Sequence, residues 1–341
     1  FNSAQPEDPV FAMAHLATAP IERIEGLRPH VEGLGLAHLT TCLTDPELQL
    51  EWLELVDSET QHFYWCRFGI NQPFSPSLIE RVFDATRQLD LESVAFHIAS
   101  KHIDDSDVAG LVTSEFLVTS NPPTDRGFLN RFIRVLESNE GVLGAERLLA
   151  VTLRLVAMGW GARELKFLQR QMASDPAFVI WLAEQATGPD LGRVATRCLV
   201  GWHLCPDDPA SHLDAIGQAA DPDVRDRALG FFGQALAHCE ADPDDRWPPA
   251  TVCDTLETAY DDLASPFTAA TTNRFVGVTS RRLLEGATHE ERIATQLESQ
   301  AAQVANASPR TAVLLRSIAT RIRNHIGTFT ENAAERRRRQ S

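Results

Sequence analysis

The stretch "DPDVRDRALGFFGQALAH", residues 221–238, joins a helix-start signal to an amphipathic pattern. Asp221 is placed to cap a helix, and Pro222 suits the first helical position because the N–H that proline lacks would have no partner there. Four apolar residues follow at i, i+4, i+7 and i+11, namely Val224, Ala228, Phe231 and Ala235. This spacing puts them on one helix face. The stretch therefore predicts a helix that packs closely against a neighbour.

Three other stretches in the C-terminal half begin in the same way: "DPAFVIWLAEQA", "SPFTAATTNRFVGV" and "SPRTAVLLRSIATRI". The four prolines are Pro176, Pro222, Pro266 and Pro309, with successive spacings of 46, 44 and 43 residues. Each interval has room for a second helix, predicted over 191–204, 250–263 and 287–305. The near-constant spacing favours a repeated two-helix unit of about 40–47 residues. The alternative is that Asp-Pro and Ser-Pro pairs simply start helices, as they do in any all-α protein.

The residues after each proline keep a common register. At the third, sixth and tenth positions they are mostly small or apolar: Val179, Leu182, Ala186, Ala228, Phe232, Ala269, Thr272, Val276, Ala312, Leu315 and Ala319. Arg225 departs from this pattern in the second copy. Small residues at fixed offsets would let neighbouring helices approach closely.

Over residues 175–326 the chain resembles a HEAT or armadillo type of helical repeat protein, most clearly in "DPDVRDRAL" at 221–229. The other three copies lack the Val-Arg pair of this stretch. The resemblance implies a right-handed stack of helix pairs with a concave surface for binding partners. It implies no enzyme activity.

The predicted fold class is all-α, an α-solenoid of stacked helix pairs with a less regular N-terminal half. Strand signals are nearly absent, because no alternating run of β-branched and aromatic residues lies between turns. In the N-terminal half Pro46, Pro76 and Pro123 are each predicted to open a helix, with spacings of 30 and 47 residues. The predicted organisation is an irregular helical region at 1–140, HEAT-like repeats at 141–330 and a flexible Arg-rich tail at 331–341.

The chain is acidic, with a formal net charge of −16. Residues 307–341 carry +6, which leaves −22 for the remainder. An acidic surface repels nucleic-acid phosphates and anionic membranes, so nucleic acid is an unlikely partner. The most apolar window contains Glu146, Arg147 and Arg154, and no membrane span is predicted.

The basic C-terminal segment is the predicted partner-binding surface. Its candidate residues are Arg316, Thr320, Arg323, Arg336, Arg337, Arg338 and Arg339. The first three are spaced so that they share a helix face away from Leu315 and Ala319. Guanidinium groups there could meet an acidic protein partner or phosphates. The alternative is that these charges stabilise a helix C-terminus and are otherwise solvated.

Six scattered cysteines without a C-x-x-C pair predict buried free thiols and a reducing, cytoplasmic location. Cys198, His203, Cys205 and His212 lie close in sequence, but their spacing matches no familiar zinc module. They are better interpreted as a helix end with two buried thiols and surface histidines. No cofactor and no metal site are predicted.

The common catalytic motifs are absent, including the phosphate-binding loop with Gly-Lys-Ser/Thr and the G-x-S-x-G elbow. The sequence therefore favours a non-enzymatic protein-binding scaffold or adaptor. The alternatives are a helical regulatory domain of a larger complex, a HEAT-like protein acting on nucleic acid, and an all-α Mg²⁺-dependent synthase. The last would use acid pairs such as Asp261 and Asp262, which are better explained as a solvated helix end.

Overall fold

The structure is a computed structural model that describes residues 19–72, 74–276 and 288–340, with side chains as far as Asn324 except at positions 142, 276, 288 and 289. These residues form helices, turns and loops, and no strand occurs among them. The all-α prediction is therefore confirmed for the part of the chain described. Two compact units are present, Phe1–Val151 and Thr152–Ser341.

The first unit consists of short helices. They are α1 (Ile21–Leu27), α2 (Leu34–Thr40), α3 (Pro46–Leu53), α4 (Ser58–Arg67), α5 (Ile79–Arg87), α6 (Glu92–Ala99), α7 (Ser106–Val118), α8 (Arg126–Ser138) and α9 (Glu140–Leu143). The border between the two units falls within α10 (Ala145–Ala157). Short 3-10 helices lie at Arg28–His30, Gly69–Asn71 and Pro76–Leu78.

Buried phenylalanines connect the later helices of the first unit. Phe96 of α6 contacts Phe83 of α5 at 4.9 Å and Phe128 of α8 at 5.9 Å between ring centroids. Phe116 of α7 in turn contacts Phe132 of α8 at 5.4 Å. Such tilted and edge-on aromatic pairs stabilise a core beyond the area they bury.

The prolines of this half have different roles. Pro46 opens α3 behind the cap residue Asp45, as predicted. Pro76 opens a 3-10 helix, and α5 follows from Ile79. The prediction for Pro123 is wrong: α8 begins three residues later, because the Asp125 carboxylate accepts a hydrogen bond from the Phe128 N–H and caps the helix there.

The second unit has longer helices. They are α11 (Lys166–Ser174), α12 (Pro176–Gln185), α13 (Gly192–Val200), α14 (Pro209–Gly217), α15 (Pro222–Leu236), α16 (Ala250–Thr258), α17 (Tyr260–Val276), α18 (Thr288–Val304) and α19 (Pro309–Gln340). A 3-10 helix at Ala162–Glu164 precedes α11.

Aspartate-proline pairs start three of these helices. Asp175, Asp208 and Asp221 each accept a hydrogen bond from a backbone N–H of the first turn, and the following proline is the first helical residue. The predicted starts at Pro176, Pro222 and Pro309 are therefore confirmed. The start at Pro209 was not predicted from the sequence.

The prediction that Pro266 opens a helix is wrong. Pro266 lies inside α17, which begins at Tyr260. A proline in a helix interior removes a backbone hydrogen bond. The helix continues because Leu263 and Phe267, on either side of Pro266, are both completely buried. The four prolines thus do not occupy equivalent positions, and the predicted helix over 250–263 is divided between α16 and α17.

Burial in α15 also differs from the predicted face. Val224, Ala228 and Ala235 are buried as expected, but Phe232 is fully buried while Phe231 is only partly buried. The face of α15 that packs into the core therefore contains Phe232, and not Phe231 as the sequence pattern indicated. In the predicted common register, Ala269 of α17 is exposed, whereas Phe267 and Ala270 of the same helix are buried.

Helices of the second unit pack in succession. α12, α15, α17 and α19 contact one another in chain order. Beside this row, α14 contacts α12, α15 and α16, and α16 contacts α17 and α19. Each helix of the row therefore contacts its neighbours in the row and either α14 or α16 beside it.

The last helix, α19, extends to Gln340 and so includes most of the segment predicted as a flexible tail. The side chains of Arg336, Arg337, Arg338 and Arg339 lie outside the described residues. The flexibility of this segment therefore stays a prediction.

Close packing of α15 on α17 gives a testable result. A Cβ added at Gly233 would lie 2.8 Å from Cγ of Pro266. We expect Gly233→Ala to lower the free energy of unfolding by about 1–3 kcal/mol through overpacking, measured by chemical denaturation. Gly230→Ala on the same helix is the matched control, since a Cβ there meets nothing within 4 Å. We expect it to raise stability by about 0.5–1 kcal/mol. Equal shifts in both variants would contradict this packing.

Candidate functional site

An open cleft of about 1390 Å³ lies within the second unit. Four segments line it: the 3-10 helix at 162–164 with the start of α11, the loop after α13, the end of α15 with the residues that follow it, and the C-terminal half of α17. The polar and charged side chains of these segments line the cleft, where they could contact a ligand.

Gln169 holds two of these segments together. Its side-chain Nε2 donates to the carbonyl oxygens of Ala162 and Gly201, each at 3.0 Å, and its Oε1 accepts from the His203 N–H, also at 3.0 Å. Gln169 is 5% exposed; its bond to Ala162 is buried and the other two are partly buried. A Cβ at Gly201 would lie 2.7 Å from Cβ of Ala162, so glycine permits this close approach.

A disulfide joins the loop after α13 to a third wall of the cleft. Cys205, in the loop after α13, is bonded to Cys239, which follows α15. The Cys239 carbonyl oxygen accepts from Nε1 of Trp247 at 2.9 Å and from the Arg274 guanidinium at 3.1 Å. The covalent bond therefore fixes the segment that carries His203 against the segment that carries His238.

The cleft carries charges of both signs. Its cationic side chains are Arg163, Lys166, Arg170 and Arg274, and its carboxylates are Glu164, Asp207 and Glu240. This balance differs from that of the whole chain, whose net charge is −16. The cleft therefore carries one more cationic side chain than carboxylates, on a protein that is acidic as a whole.

Positive charge is concentrated around His238. The rings of His238 and His203 lie 6.0 Å apart, edge to face. Burial, together with the nearby groups Arg274, His203 and Arg163, lowers the pKa of His238 to about 4. We call Arg163, His203, His238 and Arg274 the cationic centre of the cleft.

Arg274 is held in place by its neighbours. Its guanidinium donates to the carbonyl oxygens of Ala237 and Cys239, and it lies 5.6 Å from the ring centroid of Trp247 and 5.3 Å from that of Phe275. Burial lowers the pKa of Arg274, and nearby Glu240 opposes this shift. The charge of Arg274 is thus positioned before any ligand binds.

Two apolar side chains lie exposed at the edge of the cleft. Val200, at the end of α13, is 56% exposed, and Leu204, in the following loop, is 41% exposed. Between them Trp202 is completely buried and contacts His212 and Phe232. Buried Trp202 anchors the loop from within, which leaves its two apolar neighbours facing solvent.

The surface predicted on α19 is only partly available. Arg316 and Thr320 are exposed, on the side away from buried Leu315 and Ala319, as expected. Arg323 instead binds α18: it forms a two-bond ion pair with Glu298 and another with Glu291 at 2.9 Å. These bonds raise the pKa of Arg323. An external partner would have to compete with the glutamates for this arginine.

Two residues of the sequence cluster Cys198, His203, Cys205 and His212 are held by other partners. Cys205 is in the disulfide, and the two ring nitrogens of His212 each lie 3.0 Å from a carbonyl oxygen, of Asp208 and of Met172. The expectation that His212 is a surface residue is wrong, since it is 1% exposed. Across the described ranges no group of three or more His, Cys, Asp or Glu side chains is arranged to hold a metal ion.

The prediction of six buried free thiols holds for only three cysteines. Cys42, Cys198 and Cys253 are buried, whereas Cys66 is exposed and the other two form the disulfide. Burial raises the pKa of Cys198 to about 12 and that of Cys253 to about 11. Both thiols therefore stay protonated and unreactive at neutral pH.

The acid pair Asp261 and Asp262 lies in the first turn of α17, where carboxylates favour the positive end of the helix dipole. Every helix among the described residues is too short or too polar to cross a lipid bilayer.

The cationic centre was missed in the sequence because its four residues come from four separate segments. One sequence signal could have indicated part of this centre: each histidine closely precedes a cysteine of the disulfide, in "HLC" at 203–205 and "HC" at 238–239. Comparisons with protein-family models, curated proteins and solved structures found no match. The cleft is therefore the feature of this chain that bears most directly on its function.

Proposed function

We propose that this chain is a non-enzymatic protein-binding scaffold that holds an acidic segment of a partner protein in the cleft of its second unit. The observation that carries this proposal is the combination of the cationic centre with exposed Val200 and Leu204 on an otherwise acidic chain. An anionic side chain of the partner contacts the arginines, and an apolar side chain packs on Val200 and Leu204.

Charge complementarity favours a protein segment over nucleic acid. The cleft places its cations beside Glu164, Asp207 and Glu240, and the chain around it is strongly acidic. A polyphosphate backbone would meet repulsion along its length, whereas one acidic residue near an apolar residue fits the local pattern.

The scaffold takes its form, in this proposal, from HEAT-like stacking of the second unit. Support comes from the succession of contacts α12–α15–α17–α19 with α14 and α16 beside it. In such a stack each helix pair buries its apolar face only against the neighbouring pairs, so the remaining surface is left for binding. Successive repeats begin at the helix starts Pro176, Pro222, Tyr260 and Pro309, so a constant proline spacing does not define them.

The proposed location is cytoplasmic, and the disulfide sets a condition on it. Disulfides are rare in reducing compartments, so Cys205 and Cys239 would be thiols there for most of the time. Trapping of thiols by alkylation in intact cells, followed by mass spectrometry, reports which form is present.

Site-specific photocrosslinking tests the proposed binding surface. The photoreactive variant Leu204→p-benzoylphenylalanine is compared with Val313→p-benzoylphenylalanine, because Val313 is 56% exposed on α19. We expect position 204, and not position 313, to crosslink a partner whose attached peptide contains acidic and apolar residues. That partner, purified, must then bind the unmodified chain.

Two results would contradict the proposal. One is a partner that crosslinks from position 313 and not from 204, which would favour the α19 surface around Arg316 and Thr320. The other is an attached peptide that is basic, because it would be repelled by the cationic centre.

A further inference from the structure

We propose that Arg163, His203, His238 and Arg274 form an oxyanion-binding subsite that takes up a proton when a carboxylate or phosphate group of the partner binds. This inference rests on the proposed function and names the group that the cleft recognises. The four side chains line one cleft, and none of them belongs to the surface predicted from the sequence.

Two arginines of the subsite have guanidinium groups available for an anion. Arg163 is exposed, and neither it nor Arg274 forms an ion pair with any described residue. Arg274 donates to backbone carbonyls through Nη1, so its other nitrogens have no bond to a described residue. Guanidinium groups bind carboxylate and phosphate oxygens through paired N–H donors, and so suit either source of the oxyanion.

The histidines supply donors once they are protonated. Nδ1 of His203 lies 2.9 Å from the Gly201 carbonyl oxygen, which can only accept, so the proton of the neutral ring is on Nδ1. Nε2 of this ring becomes a donor only after a second proton binds. An oxyanion beside the His238 ring, whose centroid lies 6.0 Å from that of His203, would favour a proton on His238.

The charges that face His238 set the direction of the effect. From the other elements these are Arg163 of the 3-10 helix, His203 of the loop after α13, and Arg274 of α17. Glu240 follows His238 in the chain, and Lys166, Arg170, Glu164 and Asp207 line the same cleft. Without ligand, burial and the neighbouring groups, above all the guanidinium cation of Arg274, hold the pKa of His238 at about 4. A bound anion neutralises that cation and raises this pKa, so binding must tighten as pH falls.

Sulfate is the probe, because it stays a dianion throughout the pH range used. Binding is followed by the ring Cε1–Hε1 signals of His238 and His203 in NMR spectra of the full chain, at constant ionic strength. We expect the sulfate dissociation constant to fall about fivefold or more between pH 7.5 and pH 5.5. In His238→Gln this dependence is reduced, and in Arg163→Gln binding weakens about tenfold at both pH values.

Controls separate the subsite from general effects. Arg163 is exposed, so Arg163→Gln tests the subsite without disturbing the core. Arg316→Gln on α19 is the matched exposed control and should leave sulfate binding unchanged. Competition by phosphoserine and by N-acetylglutamate then identifies which source of the oxyanion binds more tightly.

Sulfate that fails to shift the two histidine signals, or binds with the same affinity at both pH values, would overturn the inference. So would an unchanged affinity in Arg163→Gln. If the crosslinking result at position 204 holds in that case, only the oxyanion inference fails and the proposed protein-binding function stands.

Discussion

Replacing Cys205 and Cys239 together with alanine is expected to lower the free energy of unfolding of the second unit by about 3 kcal/mol. The two cysteines are 34 residues apart, so the bond restricts a substantial loop of the unfolded chain. In the folded state it also joins the segments that carry His203 and His238. Chemical denaturation under non-reducing conditions measures the difference.

Two controls accompany this disulfide variant. Cys66→Ala removes an exposed free thiol and should leave stability within about 0.5 kcal/mol of the parent. A dithiol reductant added to the parent chain should reproduce the loss seen in the double variant. A double variant as stable as the non-reduced parent would show that no bond links these cysteines in solution.

Phe232→Ala is expected to cause the largest loss, about 3–5 kcal/mol, because it leaves a cavity in a closely packed core. Phe232 is completely buried on α15 and stacks against His212 with ring centroids 6.0 Å apart. It also contacts Trp202 beneath the loop that carries His203 and Leu204. Loss of this side chain therefore weakens the support of the cleft as well as the core.

Phe231→Ala is the matched control on the same helix. Phe231 is only partly buried, so its truncation should cost about 1 kcal/mol. Thermal and chemical denaturation of both variants give the comparison. A larger loss in Phe231→Ala would mean that the helix face predicted from the sequence, and not the face seen in the structure, packs into the core.

Helix starts could be predicted from the sequence where their cause is local. At Asp175-Pro176 and Asp221-Pro222 the carboxylate caps the first turn and proline occupies the first position, and both effects depend on adjacent residues. At Pro266 the same local signal was wrong. Burial of Leu263 and Phe267 against other helices continues α17 through the proline, and no local pattern reports that packing.

The candidate site could not be predicted for a similar reason. Arg163 and Arg274 are more than a hundred residues apart in sequence, and the fold alone brings them to one cleft. The disulfide was missed because its cysteines have no paired short spacing. The Arg-rich segment was visible in the sequence as a run of charge, yet Arg323 within it binds Glu298 and Glu291 of its own chain.

Isothermal titration calorimetry of the purified partner with Leu204→Asp and Val313→Asp is the most direct test that the cleft is the binding surface. Leu204→Asp places a negative charge beside the cationic centre and removes an apolar contact, so the account predicts a loss of affinity of about tenfold or more. Val313→Asp should bind like the parent chain. Equal affinities for the parent and Leu204→Asp, or a loss confined to Val313→Asp, would contradict the account.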